Sequence, residues 1–296
     1  MTAFSEKSGS ASGQLIACQG TEGAYSSEAA GHLFPEGRLL YFKNFRAVAR
    51  AVKQGLCAYG VLPIENNTYG SVRDVSRIIC EEDVYIVRSF TLRIRHRLLA
   101  LPGASQSDIR TIYSHEQAFG QCAEFLHSLG DRVRLVPDLN TATAARRVAE
   151  SGDLSVAAIS SPECAKLYGL TVLKSGIADT RTNYTRFVCI ARHPEFLPEA
   201  RRISLMLTLP HRPGSLASIL AGFADEGIDL LKIESAPIPG KDFEFRFYLD
   251  FEGTDDENRW RLLTEKLEKE CPEFRFLGRF TEETAPETPD FLMQQP

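Results

Sequence analysis

From Leu15 to Ile190 the chain alternates short apolar runs with segments in which apolar residues recur at helical spacing. The apolar runs have the length of β-strands and occupy residues 15–18, 38–42, 60–64, 110–113, 133–136, 156–159 and 185–190. Helical spacing occurs between them, at residues 24–33, 44–54, 72–81, 116–129, 141–151 and 161–168. Because parallel strands need long crossover connections, this alternation predicts an α/β fold with a largely parallel sheet.

Residues 84–101 interrupt the alternation with one long strand-like run. Such a run is unusual within a series of strand–helix units. We interpret it as a crossing between two lobes, which places a cleft between them. Ligands of open α/β sheets bind outside the carboxyl ends of the strands, so the cleft is the expected site.

A second, smaller domain follows residues 193–202, a segment with two prolines and mixed charge. Its apolar pattern gives the order β-α-β-β-α-β over residues 203–280, which is the ferredoxin-like arrangement. We therefore predict a two-lobed domain at 14–192 and a small domain at 202–281. The small, polar residues 1–13 and the acidic, proline-containing residues 282–296 are expected to be disordered.

Composition excludes several classes of protein. The net charge of −5 over 296 residues argues against a nucleic-acid or anionic-membrane surface, and no apolar stretch approaches the ~18 residues of a membrane span. No apolar core of a secretory signal occurs at the start. The seven cysteines are scattered without a C-x-x-C pair, and the histidines lack metal-ligand spacing. These features predict a cytoplasmic protein with reduced thiols and no bound metal.

Four strand-to-helix junctions are rich in glycine, hydroxyl and amide side chains, at residues 20–27, 65–71, 114–117 and 140–143. Helix N-termini present free N–H groups and a partial positive charge, which suits a small ligand with more than one carboxylate or phosphate. Simple helix capping is the alternative, since Ser71 and Ser114 each start a capping-box pattern. The glycine pattern lacks a nucleotide fingerprint, so we expect no phosphate cofactor.

Residues 181–187 place two arginines, an amide and a hydroxyl at the entry to an apolar strand. On a regular strand Asn183, Thr185 and Phe187 share one face, and Arg186 takes the other. Either Thr185 and Arg186 meet one ligand at a strand end, or Arg186 pairs with a surface acid and Thr185 only favours the strand.

Seven motifs resemble those of prephenate dehydratases and occur in the same order. They are GTEGAYS at 20–26, PIENNxxGSV at 63–72, SHxQ at 114–117, TAxAA at 141–145, AAI at 157–159, LYGL at 167–170 and NYTRF at 183–187. The small domain resembles the ACT regulatory domain of that family. The resemblance implies a catalytic domain with two lobes, similar to type II periplasmic binding proteins, and a site in the cleft between them.

The resemblance also implies a reaction: loss of water and carbon dioxide from prephenate to give phenylpyruvate, in phenylalanine biosynthesis. Aromatisation drives it, so no cofactor is expected. Thr185 corresponds to the key catalytic residue, and we expect Arg186 to clamp a carboxylate, with Asn66 and Glu65 as further catalytic candidates. The expected substrate-binding residues are Tyr25, Ser71, Ser114, Gln117, Gln121, Thr141, Asn183 and Phe187.

In the family, two segments of the small domain bind phenylalanine between neighbouring chains. The matching residues are Gly214, Ser215, Leu216, Glu234 and Ser235. The chain departs from the family here, since Ser215 replaces an alanine and Ala236 replaces an arginine. We expect phenylalanine as an effector by analogy, and a homodimer or homotetramer. Two other functions remain open: dehydration of arogenate, and non-catalytic binding of a small anion by a regulator.

Overall fold

A computed structural model describes residues 13–286, apart from 73, 239, 242–243 and 254–256; side chains of 257–259 are not described either. Most of the two tails expected to be disordered, 1–13 and 282–296, therefore lies outside the described residues. Within them the chain forms two lobes and a small domain. The predicted strand–helix alternation is followed by β-α-β-β-α-β, with a further strand at 171–174 that was not predicted. The predicted largely parallel sheet is wrong: both lobes have mixed sheets, because strands 97–100 and 184–191 run antiparallel to their neighbours.

The first lobe is built on a sheet whose central strands are flanked by helices on both faces. Its elements are β1 (Leu15–Gln19), α1 (Tyr25–Leu33), β2 (Arg38–Phe42), α2 (Phe45–Lys53), β3 (Tyr59–Asn66), β4 (Gly70–Ser71), α3 (Val75–Glu81) and β5 (Tyr85–Arg93). β1 pairs in parallel with β2 and β3. One face of this sheet packs on α1, and the other packs on α2 and α3.

The second lobe contains β6 to β10 and four helices. Its elements are β6 (Arg97–Ala100), β7 (Thr111–Ser114), α4 (Glu116–Gly120), α5 (Ala123–Leu129), β8 (Arg134–Pro137), α6 (Thr141–Ser151), β9 (Val156–Ser160), α7 (Pro162–Tyr168) and β10 (Thr171–Lys174). The strand order is β10-β6-β9-β7-β8. The chain then returns to the first lobe as β11 (Tyr184–Ala191), which lies between β3 and β5.

Residues 84–101 do cross between the lobes, but as two strands. β5 belongs to the first sheet and β6 to the second, and residues 94–96 connect them without regular structure. The return connection, residues 175–183, runs beside this one, because Ile94 N donates to Asn183 O over 2.8 Å. These two connections form the hinge between the lobes.

The small domain has the predicted ferredoxin-like order. Its elements are β12 (Arg202–Thr208), α8 (Ser215–Asp225), β13 (Leu230–Pro237), β14 (Phe245–Glu252), α9 (Glu257–Glu270) and β15 (Phe274–Thr284). The alternation in β12 explains its packing: Ile203, Leu205 and Leu207 join the core with Ile219 and Phe223 of α8. Other residues of this sheet face the first lobe, where Met206, Tyr248 and Phe280 enter its core.

The strand β15 corrects our predicted end of the small domain. Residues 281–284 pair in parallel with residues 88–91 of β5, so the sheets of the two domains are continuous. Acidic residues 282 and 283 therefore lie in a strand and are not disordered. The approach is close at Gly278, where an added Cβ atom would lie 2.0 Å from the carbonyl oxygen of Ile86. Only glycine fits there without movement of the backbone.

Candidate active site

Asn66 and Thr185 face each other across the antiparallel pair of β3 and β11. Asn66 Nδ2 lies 3.0 Å from Thr185 Oγ1 and 2.8 Å from Asn183 Oδ1. Asn66 Oδ1 accepts from the backbone N–H groups of Thr68 and Tyr69, which fixes the orientation of the amide. Because the amide donates to Thr185, the threonine's own hydroxyl proton stays available for a ligand.

This group of polar side chains lies at the hinge. Asn183 is 1% exposed and precedes β11, and its carbonyl is bonded to Ile94 in the other connection. Thr185 lies on the sheet face that also carries Phe187 and packs on α1. The first residue of that helix, Tyr25, donates from its hydroxyl to Arg95 O over 2.9 Å. Thr185 is therefore on the side of the sheet that faces the crevice between the lobes.

His96 in the hinge was not predicted from the sequence. It is 4% exposed, with Nε2 2.6 Å from Gln121 Oε1 and Nδ1 3.5 Å from the Tyr25 hydroxyl. Burial lowers its pKa, so the ring is neutral at physiological pH. It joins two predicted substrate-binding residues, one from each lobe. A single imidazole within the strand-like run 84–101 was the only signal in the sequence.

Three of the predicted substrate-binding residues, Ser114, Gln117 and Thr141, lie in the second lobe, at the starts of α4 and α6. Ser114 is fully buried and donates to Ile159 O over 2.7 Å, which corrects its expected role as a donor to substrate. Gln117 is exposed in the first turn of α4. Thr141 is 9% exposed at the start of α6, where Asn140 is the N-cap. At these junctions Gln117 N already donates to His115 Nδ1 and Thr143 N to Asn140 Oδ1, so a ligand finds only the remaining first-turn N–H groups.

The two aromatic residues expected near the substrate, Phe187 and Tyr25, contact other parts of the protein. Phe187 is 2% exposed and packs in the core between β11 and α1, which corrects its predicted contact with substrate. Burial, with Glu28 nearby, raises the pKa of the Tyr25 hydroxyl well above its usual value, so it stays protonated. Tyr25 positions the hinge through its bond to Arg95, beside the crevice.

Arg186 does not reach the crevice, and this corrects the predicted carboxylate clamp. Its guanidinium lies on the opposite face, with Nε and Nη2 3.0 and 3.1 Å from the Glu65 carboxylate and Nη2 2.7 Å from Asp250 Oδ2. Lys232 Nζ lies 3.0 Å from Glu65. Burial raises the pKa of Glu65, but the charges and hydrogen bonds of Arg186 and Lys232 outweigh it and hold that pKa at about 2. Glu65 is therefore an ionised structural partner of Arg186.

Ser71 also faces the small domain, contrary to its expected role in substrate binding. Its hydroxyl donates to Glu234 over 2.7 Å, and Glu234 is paired with Lys232 as well. A cavity of about 380 Å³ lies here between the first lobe and the small domain. Glu65, Arg186 and Lys232 line it, and Asn66 also reaches it, but Thr185 does not, so the cavity lies on the Arg186 face of the sheet.

The family model for prephenate dehydratase matches residues 16–195, which span both lobes and the hinge. The chain belongs to the prephenate dehydratase family. A relative from Arabidopsis thaliana, arogenate dehydratase/prephenate dehydratase 1, is 36% identical over 280 residues, covering 89% of this chain and 71% of the relative.

Solved structures agree with this membership of the prephenate dehydratase family. The prephenate dehydratase of Arthrobacter aurescens in complex with L-Phe has a TM-score of 0.81 and 28% identity, covering 90% of this chain and 89% of its own. GqqA, described as a quorum quenching acylase, also has a TM-score of 0.81, with 29% identity over 92% of this chain and 99% of its own.

Among residues 13–286, with the gaps given above, no group of three or more His, Cys, Asp or Glu side chains could hold a metal ion. Over the same part of the chain, no helix is long and apolar enough to cross a membrane. The groups beside the hinge are the Thr185 hydroxyl, the Asn66 and Gln121 amides and the His96 imidazole.

Proposed function

We propose that this chain is a prephenate dehydratase, a carbon–oxygen lyase that converts prephenate to phenylpyruvate, water and carbon dioxide in phenylalanine biosynthesis. Membership of the family supports this function. The observation that carries it in the structure is the Asn66–Thr185 pair, which leaves a threonine hydroxyl free to donate at the hinge. A hydroxyl that must leave a ring needs such a donor.

In the proposed reaction the Thr185 hydroxyl donates to the ring oxygen as its bond to carbon breaks. The electron pair of the bond to the ring carboxylate moves into the ring, and carbon dioxide departs as the ring becomes aromatic. The departing oxygen takes one proton through the Thr185 hydroxyl and leaves as water, and Thr185 regains that proton from solvent. A threonine hydroxyl is a weak acid, so most of the rate enhancement comes from positioning and preorganised dipoles.

Charge binding falls to groups other than Arg186. The substrate has two carboxylates, and α4 and α6 offer anions in the second lobe the first-turn N–H groups that His115 and Asn140 do not cap. Gln121, held by His96, and Asn183, held by Asn66, supply side-chain amides from the two sides of the hinge. Closure of the lobes would bring these donors around one small dianion.

The test is incubation of the purified chain with prephenate and, separately, with arogenate, with products separated by chromatography. We expect phenylpyruvate and carbon dioxide in equal amounts from prephenate. Phenylalanine from arogenate at a higher kcat/KM would instead favour the second candidate, for which the Arabidopsis relative's double name is the support. If neither substrate gives a product, the result supports the remaining alternative, a non-catalytic regulator that binds a small anion.

We further propose that residues 202–281 are an ACT domain and that phenylalanine is its ligand. The support is the β-α-β-β-α-β order and the L-Phe complex of the Arthrobacter relative. The proposed residues are Gly214, Ser215 and Leu216 at the start of α8, and Glu234 and Ser235 on β13. Glu234 already accepts a hydrogen bond from Ser71 of the first lobe, so a ligand bound at Glu234 would lie next to a contact between the small domain and that lobe. A titration of kcat with phenylalanine tests the regulation.

Assembly and location are proposals as well. A homodimer or homotetramer is supported by β13, an edge strand with Leu231 and Ile233 exposed, and sedimentation would measure it. A cytoplasmic location is supported by the seven cysteines, which are all buried and unpaired. Fractionation of cells expressing the tagged chain would test it.

A further inference from the structure

Two neighbouring residue pairs of β3 and β11 point to opposite faces of the sheet. Thr185 lies opposite Asn66, and Arg186 lies opposite Glu65. Side chains alternate along a strand, so the first pair belongs to the crevice and the second to the small domain. Glu65 is bonded to Asn66 and Arg186 to Thr185 along the chain. A displacement of the Glu65–Arg186 pair therefore displaces the Asn66–Thr185 pair.

The small domain holds the second pair in place. Arg186 and Asp250 are 5% and 7% exposed, and their charged groups lie 2.7 Å apart. Asp250 also accepts from the Ser204 hydroxyl, so both of its oxygens are bound. Lys232 adds an ion pair to Glu65. Movement of either side chain would leave a buried charge without its partner, which is strongly unfavourable, so the ion pair holds one geometry.

We propose that Asp250 and Lys232 of the small domain are positioning residues for the dehydration step. They act through Arg186 and Glu65 on the hydrogen bond between Thr185 and Asn66. The inference rests on the proposed function, since it assigns these residues to the same site. The backbone supports the same path, because Thr284 of β15 pairs with Thr91 of β5, which pairs with Arg186.

The experiment compares kcat and KM for prephenate in Asp250→Asn, Lys232→Met and a control, Glu273→Gln. Glu273 forms an ion pair with Arg246 inside the small domain and does not touch Arg186 or Glu65. We expect Asp250→Asn to lower kcat at least about tenfold, as small misplacements of catalytic groups do, and to change KM less than about twofold. Lys232→Met should lower kcat at least about threefold, and Glu273→Gln should leave it unchanged.

A merely structural role is separated by repeating Asp250→Asn in a Thr185→Ala background. If Asp250 acts through Thr185, the second substitution causes no further loss of kcat, because residues that act as a unit are not additive. The same loss in both backgrounds would overturn the proposal. So would values within about twofold of wild type for both small-domain variants. If Asp250→Asn does not fold by circular dichroism, Lys232→Met decides. A wild-type chain with no turnover refutes the proposed function itself, and the inference with it.

Discussion

Replacing Thr185 with valine removes the proposed donor and little else. Valine keeps the shape of the side chain, and Asn66 Nδ2 keeps two other acceptors, Asn183 Oδ1 and Tyr184 O at 2.8 and 3.0 Å. The cost to folding should therefore stay below about 1 kcal/mol, the usual net value of one hydrogen bond. The fold and the crevice should survive the change.

The cost to catalysis should be much larger. Loss of one preorganised donor from a transition state costs about 3–4 kcal/mol, so kcat should fall about 10²- to 10³-fold. KM should change less than about threefold, because the two carboxylates are bound by other groups. The assay is the ultraviolet absorbance of phenylpyruvate formed from prephenate, with thermal unfolding measured on the same preparations.

Thr185→Ser is the matched control, since it keeps the hydroxyl and loses a methyl group. It should retain kcat within about tenfold of the wild type. The reasoning is refuted if folded Thr185→Val turns over prephenate at a near-normal rate, or if the serine and valine variants lose the same activity.

Three further predictions concern stability. Burial, with Glu163 nearby, raises the pKa of Glu28 from 4.5 to about 7, so its contribution to stability is present below about pH 4.5 and is lost as the pH rises through 7. Glu28→Gln should therefore increase the free energy of unfolding at pH 8 by about 2–3 kcal/mol, measured as a higher melting temperature, and change it little at pH 5. The pH dependence from Glu65 is opposite to that from Glu28. Its pKa of about 2 means that its contribution to stability is present above pH 4.5 and is lost as the pH falls through 2. Glu65→Gln should therefore lower the free energy of unfolding in urea by about 2–3 kcal/mol at pH 7 and by less at pH 3. Gly278→Ala should lower the melting temperature sharply because of the 2.0 Å approach to Ile86 O. Gly222→Ala in α8 should not, because its added Cβ atom has its nearest neighbour, Leu263 of α9, at 3.5 Å.

Much of the fold could be predicted because its signals are local. Strand and helix periods determined most elements to within a few residues, and alternation along 183–187 placed Thr185 and Arg186 on opposite faces, as the structure has them. The predicted helix 116–129 is instead two helices. Asp179, far along the chain, accepts from the N–H groups of Ala123 and Glu124 and so starts a second helix there. No local pattern carries that information.

The errors at the site have the same origin. Arg186 has the right chemistry for a carboxylate of the substrate, but its carboxylates come from Glu65 and from Asp250, 64 residues away in the small domain. Ser71 finds its partner, Glu234, 163 residues away. The strand at 281–284 forms although its residues are acidic, because β5 offers an open edge. Partners brought together only by the packing of domains leave no trace in local composition.

A crystal structure of the Thr185→Val variant with prephenate bound would test most directly where the reaction occurs. The account predicts the substrate in the crevice between the lobes, with its ring hydroxyl beside the side chain of residue 185 and within reach of Asn66. Prephenate bound instead in the cavity lined by Glu65 and Lys232, on the other side of the sheet, would contradict it.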